Sequence, residues 1–330
     1  MASLRGPAGR QLQEVHPDLR RRRQPQALSP AHVYWSDVPT GTIGEANLDG
    51  SGVNQSFIAG ANTNLPYGVA IDGQHIYWCN SAANTIGRAN LDGTGVKQSF
   101  IPGADAPHGV AVDSQHLYWT SENTIGEANL DGTDVNPTFI TGLSSPYGLT
   151  VYGQRIYWTS LNGGTIGTAN LDGTGVNPTF ITGLAHPSGV AVDAQPPPGA
   201  PQIYWSDLDV GIGAASLDGL GVIQGYIPVA GAVHDVAISQ DVVYFTWANY
   251  NDIGGGIGTD QDANFVTGLH FPVGIAVTYV PPVPPDPCGI LAQELQDLSR
   301  SDFPNEADYI RARSELAEQL SACRKAHPLT

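Results

Sequence analysis

The chain has 330 residues and a formal net charge of −17, with only 14% charged residues beside 40 Gly and 25 Pro. That composition excludes a helix-rich fold and a disordered chain, and it predicts an all-β protein of many short strands. Residues 31–280 set Arg88, Lys97 and Arg155 against 21 acidic side chains, which excludes nucleic acid as a partner and favours a neutral or basic one.

Residues 1–30 hold six Arg against Glu14 and Asp18 and contain no apolar core of a secretory signal. They are expected to form a disordered basic leader. No stretch reaches the ~18 apolar residues of a membrane span. Arg outnumbers Lys 12 to 2, the usage of a GC-rich and hence bacterial genome.

From residue 31 the chain repeats itself. TIGEANLDG stands at 42–50 and returns unchanged at 124–132, with TIGRANLDG at 85–93, TIGTANLDG at 165–173 and GIGAASLDG at 211–219. GIGTDQDAN at 256–264 is the most divergent copy. An aromatic pair precedes each phrase: Tyr-Trp at 34–35, 77–78, 118–119, 157–158 and 204–205, and Tyr-Phe at 244–245. Each unit of 39 to 47 residues holds four short β-branched or aromatic runs bounded by Gly, Asp or Pro. Such runs predict four strands, and the Asp-Gly pair predicts a hairpin after the third. Four strands per unit of this length match a β-propeller blade.

Innermost strands are expected at 67–72, 108–113, 147–152, 188–193, 233–238 and 273–278, and second strands start at the six aromatic pairs. The first pair lacks an innermost strand before it, and 273–278 has no pair after it. The ring therefore closes by placing Val273–Thr278 beside Tyr34 and Trp35, which gives six blades over 31–279 and protects the terminal edges. The aromatic pairs face opposite sides of their strand and are expected to pack between blades.

These repeats resemble the YWTD repeats of the low-density lipoprotein receptor family, a six-bladed propeller class, over roughly 32–279. Tyr34-Trp35-Ser36-Asp37 and Tyr204-Trp205-Ser206-Asp207 differ from the family tetrapeptide by one conservative letter. The cysteine-rich modules that flank the receptor propellers are not present. The resemblance implies a module that binds other proteins.

VPPVPPDP at 280–287 predicts a stiff linker. Beyond it, Ile290, Leu291, Leu295 and Leu298, then Ile310, Leu316 and Leu320, recur at helical spacing and predict a helical hairpin tail over 288–330. Antiparallel helices would bring Cys288 towards Cys323, a possible disulfide. That bond and the family resemblance would favour an extracytoplasmic location. Cys79, in place of a Thr or Ser of the repeat, is expected to be a buried free thiol.

Loops entering the innermost strands end in Pro-x-Gly, where x varies on a constant frame: Tyr67, His108, Tyr147, Ser188, His234 and Val273. Loops after the aromatic pairs bring Asp37, Asn80, Glu122, Asn162, Asp209 and Trp247 to the same face. The channel-mouth candidates are Tyr67, His108, Tyr147, Ser188, His234, Trp247, Glu122 and Asp209. Asp37 and Asp207 are expected to bind backbone amides between blades. The innermost strands are read as Val, Ala and Gly where a metal cage would need Glu and Asn. Together with the lack of a nucleophile elbow or phosphate loop, this assigns no metal, cofactor or catalytic residue. The expected function is a non-enzymatic module binding a neutral or basic protein or peptide at the mouth. The alternatives are a structural component, or a lyase or hydrolase with a His base.

Overall fold

The computed structural model describes residues 31–60, 65–193, 202–239, 242–257 and 260–278, with scattered positions between Ile310 and Ser321. The chain divides into two compact units, residues 30–281 and a second made of 1–29 with 282–330. The basic leader, the Pro-rich linker, Cys288 and Cys323 lie outside the described residues. The described positions between Ile310 and Ser321 are helical. The expected two-helix hairpin is not supported, because its first helix falls on residues outside that set.

The described residues of this first unit form six sheets of four antiparallel strands, each blade running from the channel outwards. Blade four shows the pattern in sequence order: Pro146–Tyr152, Arg155–Ser160, Thr165–Asn170 and Asn177–Thr182. Blade one takes its innermost strand, Pro272–Val277, from the far end of the propeller and pairs it with His32–Asp37. The expected ring closure is what the chain adopts.

The repeated phrase has a packing explanation. In each blade the Trp or Phe of the pair lies opposite the Gly that follows Ile in the third strand, as Trp35 faces Gly44, Trp158 faces Gly167 and Trp205 faces Gly213. A Cβ at any of these glycines would overlap the aromatic ring on its own sheet. Glycine there lets the ring lie flat and face the preceding blade. Its Tyr neighbour points the other way, because successive side chains on a strand alternate.

Each interface between blades therefore joins a Tyr of one blade to the large aromatic of the next. Tyr34 shares a core with Trp78, Tyr118 with Trp158, and Tyr244 with Trp35. All twelve members of the pairs are at most 6% exposed. At ~150–250 Å² of buried area each, these side chains dominate the packing of the ring.

Blade six departs from the expected phase. Its third strand is Asp252–Ile257, and Gly254 lies opposite Phe245. The counterpart of Thr-Ile-Gly is thus Asp252-Ile253-Gly254, four residues before the GIG at 256–258. The Gly-rich run of 254–256 permits both phases on paper. The chain takes the earlier one, with Gly254 under the Phe245 ring.

Candidate functional site

The innermost strands line a central cavity of ≈ 230 Å³, and Tyr67, His108, Tyr147, Ser188, His234 and Val273 all contribute to its wall. A repeated hydroxyl holds these residues in place. Thr120 Oγ1 accepts a hydrogen bond from Gly109 N at 2.8 Å and donates to the Tyr147 carbonyl of the next blade at 2.7 Å. Thr159 links Gly148 N to Ser188 O at 2.8 and 2.6 Å in the same way. Ser206 links Gly189 N to His234 O, and Thr246 links Asp235 N to Val273 O. The third letter of the aromatic motif is therefore a clasp between one blade and the ring residue of the next.

Blade two lacks that hydroxyl because Cys79 replaces it. Gly68 N instead donates directly to the His108 carbonyl at 2.7 Å. Cys79 is a free thiol with no exposure, as its position in the repeat led us to expect. Burial pushes its pKa well up and keeps it protonated.

The glycine after the ring position allows the close approach of neighbouring innermost strands. A Cβ at Gly109 would overlap the Tyr147 carbonyl, and one at Gly148 the Ser188 carbonyl. Five blades carry this glycine, and blade six carries Asp235. That residue corrects the reading of the innermost strands as Val, Ala and Gly throughout, and of Pro-x-Gly at all six loops, because blade six reads Val233-His234-Asp235. Its carboxylate folds towards blade five over Gly189, where a Cβ would overlap Oδ1. Oδ1 accepts from Val236 N at 2.9 Å and Oδ2 from Ile275 N at 3.0 Å. Burial raises its pKa to about 7, against the opposing pull of those two amides. Aligning the six innermost strands on the residue after x would have found it.

At the mouth, three candidates touch one another. The Tyr67 and His108 rings are 5.0 Å apart, His108 and Tyr147 4.7 Å, and Tyr67 and Tyr147 6.4 Å. His234 stands edge-on to Phe271 at 5.3 Å, and its Nδ1 is buried with no hydrogen-bond partner among the described residues. Burial lowers the pKa of both His108 and His234, so the two imidazoles are neutral at pH 7. Ser188 is 1% exposed, and its hydroxyl donates to Val233 O at 3.0 Å.

The remaining candidates sit outside the cavity wall. Glu122 is exposed. Trp247 donates from Nε1 to Ala230 O at 2.8 Å and stacks at 4.1 Å on Tyr250, which is exposed. Asp209 pairs with His186 Nδ1 at 2.5 Å, and that contact raises the His186 pKa. Neither Tyr250 nor His186 carries a signal in the repeat, because both belong to loops that differ between blades. Asp37 and Asp207 do bind amides, but those of the loop entering their own blade. Asp37 Oδ2 accepts from His270 N at 2.9 Å, and Asp207 Oδ2 from Ala185 N and His186 N.

Residues 154–194 match the family model for the low-density lipoprotein receptor repeat class B. That match spans one repeat, which begins at the second strand of blade four, and the ring as a whole is a six-bladed propeller of four-stranded sheets. No curated protein matches the chain. Among solved structures, a propeller in a nidogen/laminin complex is similar at 21% identity and TM-score 0.61, covering 75% of this chain and 98% of that one. A catalytically inactive virginiamycin B lyase from Staphylococcus aureus with quinupristin is similar at 17% identity and TM-score 0.54, covering 75% and 89%. A gluconolactonase from Xanthomonas campestris is similar at 19% identity and TM-score 0.50, covering 66% and 86%. At these identities the likeness is one of fold.

Proposed function

We propose that this protein is a non-enzymatic binding module that engages a neutral or basic protein or peptide with its channel-mouth face. The observation that carries the reading is the Tyr67, His108 and Tyr147 cluster. These three half-buried rings stand at positions that vary on a frame otherwise repeated around the ring. Aromatic side chains bring large contact area at low entropic cost, and interfaces are enriched in them. The acidic propeller surface adds a preference for partners that are not acidic. A propeller of similar fold belongs to a nidogen/laminin complex, which supports a protein partner for this architecture.

The test is affinity capture from the medium and lysate of the source organism. The intact chain is compared with a Tyr67→Ala/His108→Ala/Tyr147→Ala variant whose fold is checked by circular dichroism. A protein retained by the first and lost by the second is expected. Equal retention by both would move the contact away from the mouth.

One observation favours a second reading, a lyase or hydrolase with a His base. His234 Nδ1 is buried without a partner among the described residues, beside Asp235 in the same cavity. A general base must be able to accept a proton, and a neutral imidazole can.

A further inference from the structure

Five innermost strands show that the frame closes with glycine at the position after the ring residue, so the sixth strand's Asp235 is not needed to build the propeller. Its carboxylate lies in the cavity wall and accepts from two backbone amides. A carboxylate has about four acceptor sites, which leaves half of them open. Buried charge is costly unless it is paired. The three Lys and Arg side chains of the propeller are all engaged or placed elsewhere. Arg88 donates to the Leu130 carbonyl and covers the Phe100 ring at 4.0 Å. Arg155 donates to Thr168 Oγ1, and Lys97 is exposed on an outermost strand.

We propose that the channel takes a cationic alkyl group, an ammonium or guanidinium on a short apolar stem, whose charge pairs with Asp235. This rests on the mouth being the contact face and names the chemistry that enters it. Val110, Leu149, Val190, Val236 and Ile275 line the same cavity and suit the stem. The rings of Tyr67 and Tyr147 also line it and offer faces that attract a cation. His108 and His234 are held neutral by burial, so they do not repel one. The group can come from a Lys or Arg side chain of a partner or from a free small amine, since the recognised chemistry is the same.

The probes are n-butylammonium, neutral 1-butanol and an N-acetyl-lysine amide, titrated calorimetrically into the full chain at pH 8. The intact protein is expected to bind n-butylammonium at least tenfold more tightly than 1-butanol. Asp235→Asn and Asp235→Gly should each bring n-butylammonium down to the level of 1-butanol. The glycine variant restores the residue of the other five blades and guards against a folding defect in the first. No binding of n-butylammonium, equal binding of the two butyl probes, or full binding retained in both variants would overturn the proposal. Binding of the lysine amide alongside n-butylammonium points to a side chain as the source, and its exclusion points to a free amine. Protein capture by the mouth is read separately, so it can fail while amine binding holds, or the reverse.

Discussion

The walls between blades and the lining of the channel are built by the same strands, yet the six blades agree on the first and differ on the second. Every wall joins a Tyr to a Trp or Phe lying flat over glycine. The lining changes from Tyr to His to Ser to Val around the ring, and at Asp235 it breaks even the glycine pattern beneath. The wall must interlock with an identical neighbour, so a change in one blade has to be matched in the next. The lining meets only the channel and is free to vary. Where a repeated frame holds a position constant, packing explains it. Where the frame lets a position vary, recognition chemistry has room to act.

The largest expected effect comes from breaking a wall. Trp158→Ala removes a fully buried indole from the interface with Tyr118, and such truncations cost about 3–5 kcal/mol. Urea unfolding measures it, and a loss below about 1 kcal/mol would mean that the walls are not what holds the ring.

Next comes the exception in the lining. A carboxyl whose folded pKa of about 7 lies above its unfolded value of about 4 favours the native state while it is protonated. That contribution is complete below pH 4 and is lost as the pH rises through 7. Asp235→Gly should therefore unfold at higher urea than the intact chain above pH 8, by at most roughly 4 kcal/mol, with the gap closing towards pH 4. A gap that does not change with pH would show that the carboxyl is already ionised without strain.

Smaller effects separate the clasps. Thr159→Val leaves the buried Gly148 N–H without its acceptor and should cost about 1–3 kcal/mol. Cys79→Ser should change stability by less than about 0.5 kcal/mol, because Gly68 N already bonds the His108 carbonyl directly. Equal responses at the two sites would remove the distinction between clasped and unclasped blades. The smallest effect lies at the rim. Asp209→Asn should lower the His186 titration midpoint by NMR and leave the urea midpoint in place, because both side chains are solvent-exposed.

Much of the ring was legible in the chain because each element is written six times. The blade number, the ring closure through Val273–Thr278 and the packing of Tyr and Trp between blades all follow from aligning copies. What was not legible belongs to single copies. Asp235 escapes notice when attention rests on the varying x residue rather than on the constant one after it. The third strand of blade six lies four residues earlier than the GIG at 256–258 suggests, because Asp252-Ile253-Gly254 carries the same Ile-Gly pair and the motif alone does not choose between them. Ser188 stands at a mouth position in sequence, yet its small side chain sinks to the Val233 carbonyl. Its neighbours Tyr147 and His234 are too large to follow.

Blade one is stitched from the two ends of the propeller, and this orders events in time. While the chain is being made, the strand His32–Asp37 has its outward neighbour at once but waits for Pro272–Val277 until nearly the whole ring has emerged. At about 5–20 residues per second, that leaves a bare sheet edge for tens of seconds. The last strand to be synthesised is thus the latch of the ring, and a chain shortened before Pro272 would stay an open arc with two unpaired ends.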